Sequence, residues 1–308
     1  MTSDPIDRRA TARIDRIPLG VMYMLGATVM FAASSAVAKW QVASYPAIEV
    51  LFFRALAGIV TIAVLILPRT GFAVFRTNRL RDHAGRSTTQ AVAQCLIVIA
   101  FGMMPLAGAI AINFSSPIFA ALFAVVWLKE KIGLARGLAL AAGFLGVLLV
   151  AAPGADTFRV GALFALGNAI LFGSVTAAVR GMTVTESADT LTMYQMVFLA
   201  IFYTALAPFF FTAPTGADLS MMLFNGVINA LGQYWWTRSL SMAPPAAVGP
   251  FYYFHLVWAI VLGFVFWGDV PTLGLIAGSA IVVVSGIFLL WHESAKKARM
   301  LEEAMAAN

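Results

Sequence analysis

The chain has a single cysteine, Cys95, set inside an apolar run. An intramolecular disulfide is therefore impossible, and cysteine usage says nothing about redox compartment. Charge is scarce as well. Asp, Glu, Lys and Arg make up 11% of the 308 residues, against about 25% in soluble domains. No apolar run carries an Asp or Glu near its middle, since Glu49, Glu130, Asp156, Asp218 and Asp269 all lie near run ends. That removes the usual ion-site carboxylate of a proton- or sodium-driven pump. There is no Walker A glycine loop, hence no direct use of ATP. No His-Glu-x-x-His, paired intramembrane aspartates or Gly-x-Ser-x-Gly is present, which weakens a membrane-enzyme reading. No cofactor or metal site is indicated.

What remains is apolar. Hydrophobic residues make up 61% of the chain, and mean hydropathy is +0.89. Ten runs approach the roughly 20 residues that cross a bilayer core. They span 19–38, 47–67, 88–104, 106–128, 134–151, 160–179, 191–211, 219–240, 246–267 and 273–291. The first is too long for the core of a cleavable signal and reads as a retained span. An all-α integral membrane protein of ten transmembrane helices follows. The net charge of +6 reads as topology rather than a nucleic-acid stripe, because the basic residues sit between runs and at the ends. With the N-terminus inside, seventeen Lys and Arg fall in cytoplasmic segments and two, Lys39 and Arg159, outside. Both termini are therefore expected in the cytoplasm. The segment around Phe72–Arg86 mixes Phe72, Phe75 and Leu80 with arginines, as a short amphipathic helix on the inner leaflet would.

The chain repeats itself. Gly20, Gly26, Phe31 and Lys39 recur 141 positions later as Gly161, Gly167, Phe172 and Arg180; Gly133 and Gly137 recur at the same offset as Gly274 and Gly278. Gln94, Pro105 and Glu130 match Gln233, Pro244 and Asp269 at an offset of 139. The expected units are 18–152 and 153–292, flanked by tails 1–17 and 293–308. Five spans per unit is an odd number, so the two units insert with opposite topology, a plan recurrent in secondary transporters with a solute site between the halves.

Polar residues within the spans are the candidates for that site. Asn225, Asn229, Gln233 and Trp236 share one helical face. Such a face either glues helices together or lines a solute path. Gln90 and Gln94 share a face of the third span. Asn113 and Ser116 stand at helical spacing beside Pro117, a helix-breaking residue that frees a backbone carbonyl. The ninth span carries Pro250, Tyr252, Tyr253, His255 and Trp258. His255 is the one histidine deep in a span and the residue through which any proton coupling would run. Otherwise facilitated diffusion or exchange is the default. Arg54 is a candidate for a solute carboxylate, with neutralisation by helix C-termini or by Glu49 as the structural alternative. Glu49 itself reads as solvated near the outer surface, and Lys39 as an electrostatic gate. Pro117 and Pro250 are the candidate hinges. Trp236 and Trp258 suit either an aromatic cavity wall or a lipid-facing surface.

These features resemble the drug/metabolite transporter superfamily, in its EamA-type members with two five-helix units. The likeness is carried by Gly20, Gly26 and Phe31 with their echo, and by the stretch from Met104-Pro105 through Asn113-Phe114-Ser115-Ser116-Pro117 to Trp127-Leu128-Lys129-Glu130. The second copy reads Trp267-Gly268-Asp269, with the acid shortened, and Lys129 replaces a usual glycine in the first. The resemblance implies a central cavity and alternating access. It also implies carriage of a small-molecule solute across a bacterial inner membrane, with no oligomer required. Its nearest likeness is to exporters of amino acids, including aromatic ones. Drugs, nucleotide sugars or S-adenosylmethionine-like solutes are alternatives within the superfamily.

The charge bias is directly testable. In a Cys95→Ala background, a membrane-impermeant thiol reagent added to intact cells should label Ser44→Cys but not Ser3→Cys. The reverse pattern would overturn the orientation.

Overall fold

The computed structural model describes residues 17–128, 134–151, 156–182, 185–243 and 245–306. Among them the chain is helical, with no strand. The first half comprises α1 (Ile17–Val42), α2 (Ala47–Thr70), α3 (Leu80–Met103), α4 (Leu106–Asn113), α5 (Ser116–Leu128) and α6 (Leu134–Ala151). The second comprises α7 (Asp156–Met182), α8 (Ala188–Phe210), α9 (Gly216–Met242), α10 (Pro245–Tyr252), α11 (Phe254–Trp267) and α12 (Leu273–Ala306). Two expected spans are thus broken, one into α4 and α5 and the other into α10 and α11. The breaks fall at matching places, because α4 and α10 begin and end 139 residues apart.

The polarity of the bundle is that of a protein in lipid. Val64, Leu145, Leu163, Phe264 and Val284 are exposed, whereas Ser34, Glu49, Asn168, Asn225 and His255 are buried. Backbone and side-chain polar groups facing hydrocarbon have no water to turn to, so they must be satisfied inside. Five described stretches are long and apolar enough to cross a membrane: Ile17–Val42, Ala47–Phe75, Val160–Val179, Ala188–Phe210 and Val248–Trp267. Helices α3 and α9 are as long but more polar, and they bury Gln90 and Asn225. The helices interleave: α1 packs along α9 and α7 along α3, while α2 meets α8 and α6 meets α12. The α1–α9 contact has its exchanged counterpart in α3–α7, and the α2–α9 contact in α3–α8.

Several boundaries differ from expectation. Helix α3 extends beyond the third apolar run. It begins at Leu80, because the polar turns carrying His83 and Arg86 are buried against α8 rather than left in a loop. The segment after Phe72 is not one surface helix. A 3-10 turn, Gly71–Phe75, precedes α3, with Phe72 exposed. In the C-terminal segment the helix of the last span continues, since α12 runs to Ala306. Glu49 is not solvated: it is fully buried, and its Oε2 accepts from the Thr212 amide at 2.9 Å.

A close backbone approach joins α6 to α12. A Cβ on Gly278 would stand 2.6 Å from the Gly146 carbonyl oxygen and 2.9 Å from the Val150 amide nitrogen. Neither backbone atom can swing aside as a side chain does, so the helices themselves would have to part. Gly278→Ala is expected to cost about 1–3 kcal/mol, the usual range for overpacking, and to lower the melting temperature in detergent. An unchanged melting temperature would show that this contact is not tight.

Candidate functional site

The α1–α9 seam organises the polar centre. Asn225 and Asn229 lie one turn apart on α9 and both meet Ser34 of α1. The Ser34 hydroxyl donates to Asn225 Oδ1 at 2.5 Å and accepts from Asn229 Nδ2 at 3.2 Å. Asn225 is fully buried, with its Nδ2 unpartnered. Asn225 is therefore interhelical glue, while Asn229 also borders a small space lined by Arg54, Gly58, Gln94 and Met196. There Arg54 Nη2 donates to Gln94 Oε1 at 2.6 Å. Glu49 does not neutralise Arg54, and no carboxylate of the described residues lies within ion-pair reach of it. The space measures about 10 Å³, room for roughly one water. The space beside Arg54 is thus nearly filled by its own side chains. Gln90 is buried one turn before Gln94, and Gln233 is half-buried one turn beyond Asn229.

An aromatic cluster adjoins it. Gly232 of α9 lets the Phe31 ring approach, since a Cβ there would lie 3.1 Å from that ring. Phe31 is one turn from Ser34 on α1, so cluster and polar centre share the seam. Phe31 and Phe114 each neighbour the rings of Tyr252 and His255, which also neighbour one another, with Phe31 6.2 Å and Phe114 6.0 Å from His255 between centroids. His255 is buried, and both its ring nitrogens lack a hydrogen-bond partner. The cluster exists because the two helix breaks meet. Phe114 and Tyr253 occupy equivalent places in the two halves, and their rings lie 4.9 Å apart.

Each break has a local cause. Pro117 has no amide to donate to Asn113, so α5 starts afresh at Ser116. The turn is closed in 3-10 fashion by the Ser115 amide and hydroxyl, both donating to the Ile112 carbonyl at 3.0 and 2.6 Å. In the second half Pro250 lies inside α10, and the Tyr253 amide donates to its carbonyl at 3.3 Å. Ser116 is buried at the start of α5. Asn113 accepts from Asn168 Nδ2 of α7 at 2.6 Å, a helix-to-helix bond.

Two expected wall residues lie elsewhere. Trp258 is exposed on a stripe with Phe254, Val257, Val261 and Val265, which is the outer face of α11. Trp236 packs instead against Met24, Ala243 and Val248. Lys39 draws together α1 and the end of α3, donating to the Phe101 and Met104 carbonyls at 2.9 and 2.7 Å, with Nζ 5.3 Å from the Trp267 ring centroid. Ser34, Phe114 and Asn168 were missed. Small or aromatic residues in an apolar run carry little signal, although Phe31 and Phe114 stood inside the repeated and motif-bearing stretches.

A further cluster closes the arginine-rich end. His83 is fully buried, its ring stacked on Tyr194 of α8 at 4.5 Å, with Nε2 3.7 Å from Glu186 Oε2. Glu186 accepts from Thr77 at 2.6 Å, and Arg86 donates to the Leu191 carbonyl at 3.0 Å. These bonds tie the α2–α3 connection of the first half to the start of α8 in the second.

Comparison with known proteins agrees with this architecture. The model of the EamA-like transporter family matches residues 18–152 and again 159–291. A riboflavin transporter of Rhizobium johnstonii is 29% identical over 90% of this chain and 93% of its own. A pseudopaline exporter of Pseudomonas aeruginosa is 28% identical over 90% and 97%. An S-adenosylmethionine uptake transporter of Rickettsia conorii is 22% identical over 89% and 93%. A solved crystal structure, 18% identical, superposes with a TM-score of 0.61 over 92% of this chain and 98% of its own, a likeness of fold alone. The family and these relatives are transporters of small solutes, not enzymes.

His83 lends the closed end a pH signature. Burial, and then the Arg86 guanidinium, hold its pKa below the ordinary 6.5. Above 6.5 the ring is neutral folded and unfolded, and stability is complete. As pH falls below 6.5 the unfolded chain takes a proton that the folded chain refuses, so stability is lost down to the depressed folded pKa. Acidifying from about pH 7.5 to about pH 5.5 should therefore lower the melting temperature of the wild type more than that of His83→Phe. Equal losses would show that His83 is not the responsible group.

Proposed function

The chain belongs to the EamA-like transporter family, and on that premise we propose a secondary carrier whose two halves rock about the polar centre in alternating access. The inverted relation of the halves is supported by the matching helix breaks and by the paired contacts between them. A cytoplasmic placement of both termini is supported by the charge bias, and the cytoplasmic membrane by the bacterial relatives. The closed end at His83, Glu186 and Arg86 then faces the cytoplasm, and the Lys39 contacts gate the outer side. The gradient sets direction, and it is outward in a cell that overproduces the solute.

The observation that carries the solute assignment is Arg54. A guanidinium keeps its charge at any physiological pH, and this one faces the central space beside Gln94 without a carboxylate partner among the described residues. A solute anion supplies the missing counter-charge bidentately. Gln94 and Asn229 offer donors and acceptors to the remaining polar groups. Rocking of the halves opens the seam toward Phe31, Phe114, Tyr252 and His255, which accept a ring by edge and face contacts. An aromatic amino acid meets all of these requirements. A second reading, a neutral heteroaromatic solute held mainly by the aromatic cluster, is favoured by the relatives named riboflavin transporters.

Counterflow into proteoliposomes without any ion gradient separates the two. Labelled phenylalanine or tryptophan should accumulate with wild type, and Arg54→Gln should cut the initial rate roughly 10- to 100-fold, the worth of a charge-assisted hydrogen-bonded pair. Accumulation of riboflavin, indifferent to Arg54→Gln, would replace the amino-acid reading with the second. Movement of neither would overturn both.

A further inference from the structure

A second space lies apart from the polar centre, at the end of the bundle opposite the arginine-rich segment. It measures about 270 Å³, against about 10 Å³ at the centre, close to the lower end of the roughly 300–1,000 Å³ of small-molecule pockets. Its walls are the first turn of α4 at Ala107 and Gly108, with Ile260 of α11 and Leu275 of α12. The turn between α11 and α12 brings Asp269 to the same space. That turn is closed by its backbone. Gly268 takes a φ of +67°, and the amides of Gly268 and Asp269 donate to the Phe264 and Gly263 carbonyls at 3.0 and 3.2 Å. The Asp269 carboxylate is therefore not needed to hold the turn, and its Oδ2 is buried without a hydrogen-bond partner. Buried polar atoms nearly always have one.

The nearest protein cation does not fill the role. Lys39 has its ammonium engaged by the Phe101 and Met104 carbonyls and by the Trp267 face, and no ion pair within 4.0 Å joins it to Asp269. The other walls offer no charge. We propose that this cavity binds a primary ammonium group carried on a small apolar body. The Asp269 carboxylate accepts from the ammonium, and Ile260, Leu275 and Val150 enclose the body. The ammonium belongs either to a free amine entering from the outer water or to a phosphatidylethanolamine headgroup. The site does not depend on the solute assignment, because Arg54 takes no part in it.

The test is calorimetric titration of 2-phenylethylamine into the purified full chain in phosphatidylcholine nanodiscs, whose quaternary headgroups have no proton to donate. Saturable binding is expected, weakened about tenfold or more by Asp269→Asn and likewise by Ile260→Trp, which fills the space and leaves the carboxylate. Arg54→Gln should bind as wild type. Repeating the titration with phosphatidylethanolamine present distinguishes the sources, since a weaker apparent affinity assigns the headgroup and an unchanged one the free amine. Absence of saturable binding would overturn the proposal. So would wild-type binding by either cavity variant, or loss of binding in Arg54→Gln, which would place the amine at the polar centre.

Discussion

The absence of water around a membrane helix is the constraint on which this structure depends. Helices α3 and α9 carry Gln90, Gln94, Asn225, Asn229 and Gln233, and each of these carboxamides would be costly against hydrocarbon. The two helices are therefore drawn inside, and each is covered by the first helix of the other half: α9 by α1, α3 by α7. Interleaving of the halves follows from this burial. The apolar faces of α2, α6, α7, α11 and α12 are left outside, where Val64, Leu145, Leu163, Phe264 and Val284 meet lipid. Contacts between the most polar helices and their covers put Ser34 between Asn225 and Asn229, and the same seam brings Phe31 to the aromatic cluster.

The two broken helices add what a continuous bundle lacks. An unbroken helix satisfies its own backbone and offers only side chains, whereas a break creates a corner. The corners at Phe114 and Tyr253 meet ring to ring, and the rings of Tyr252 and His255 gather around them. A contact between equivalent positions of two halves is suited to bistability, because either half can open while the other holds. On the arginine-rich side the halves are joined by buried His83 with Glu186 and Arg86; on the other, Lys39 ties α1 to the end of α3 and sets its ammonium against the Trp267 ring of the second half. The space beside Arg54, between these two ends, measures about 10 Å³.

Much of the fold was legible in the chain. Run length locates membrane helices because a bilayer has one thickness. Repeated glycines mark repeated close approaches, as at Gly278 in the second unit. Carboxamides within apolar runs point inward whatever the fold, so Gln94 and Asn229 could be singled out as interior before any neighbour was known. Other assignments failed for a common reason. Glu49 stands at a run end, where water and burial look alike; the amide that captures it, Thr212, is 163 residues away. His83 lies in a polar turn that only the facing surface of α8 makes part of the interior. Trp258 has an aromatic side chain that suits lipid and cavity equally, and its exposed stripe is visible only once α11 is packed.

The sequence by itself determined the class of molecule, the approximate spans, the twofold repetition and the bias of positive charge. Each of these is set by local length, composition or order, which act on a segment without reference to its neighbours. Only the tertiary structure decided which helix covers which, that two spans break and meet, and that Arg54 pairs with Gln94 rather than Glu49. It also decided that Asp269 borders a cavity. These features depend on segments 40 to nearly 200 residues apart. Only the shared requirement to hide polar groups from lipid, met by the whole bundle at once, selects among their possible pairings.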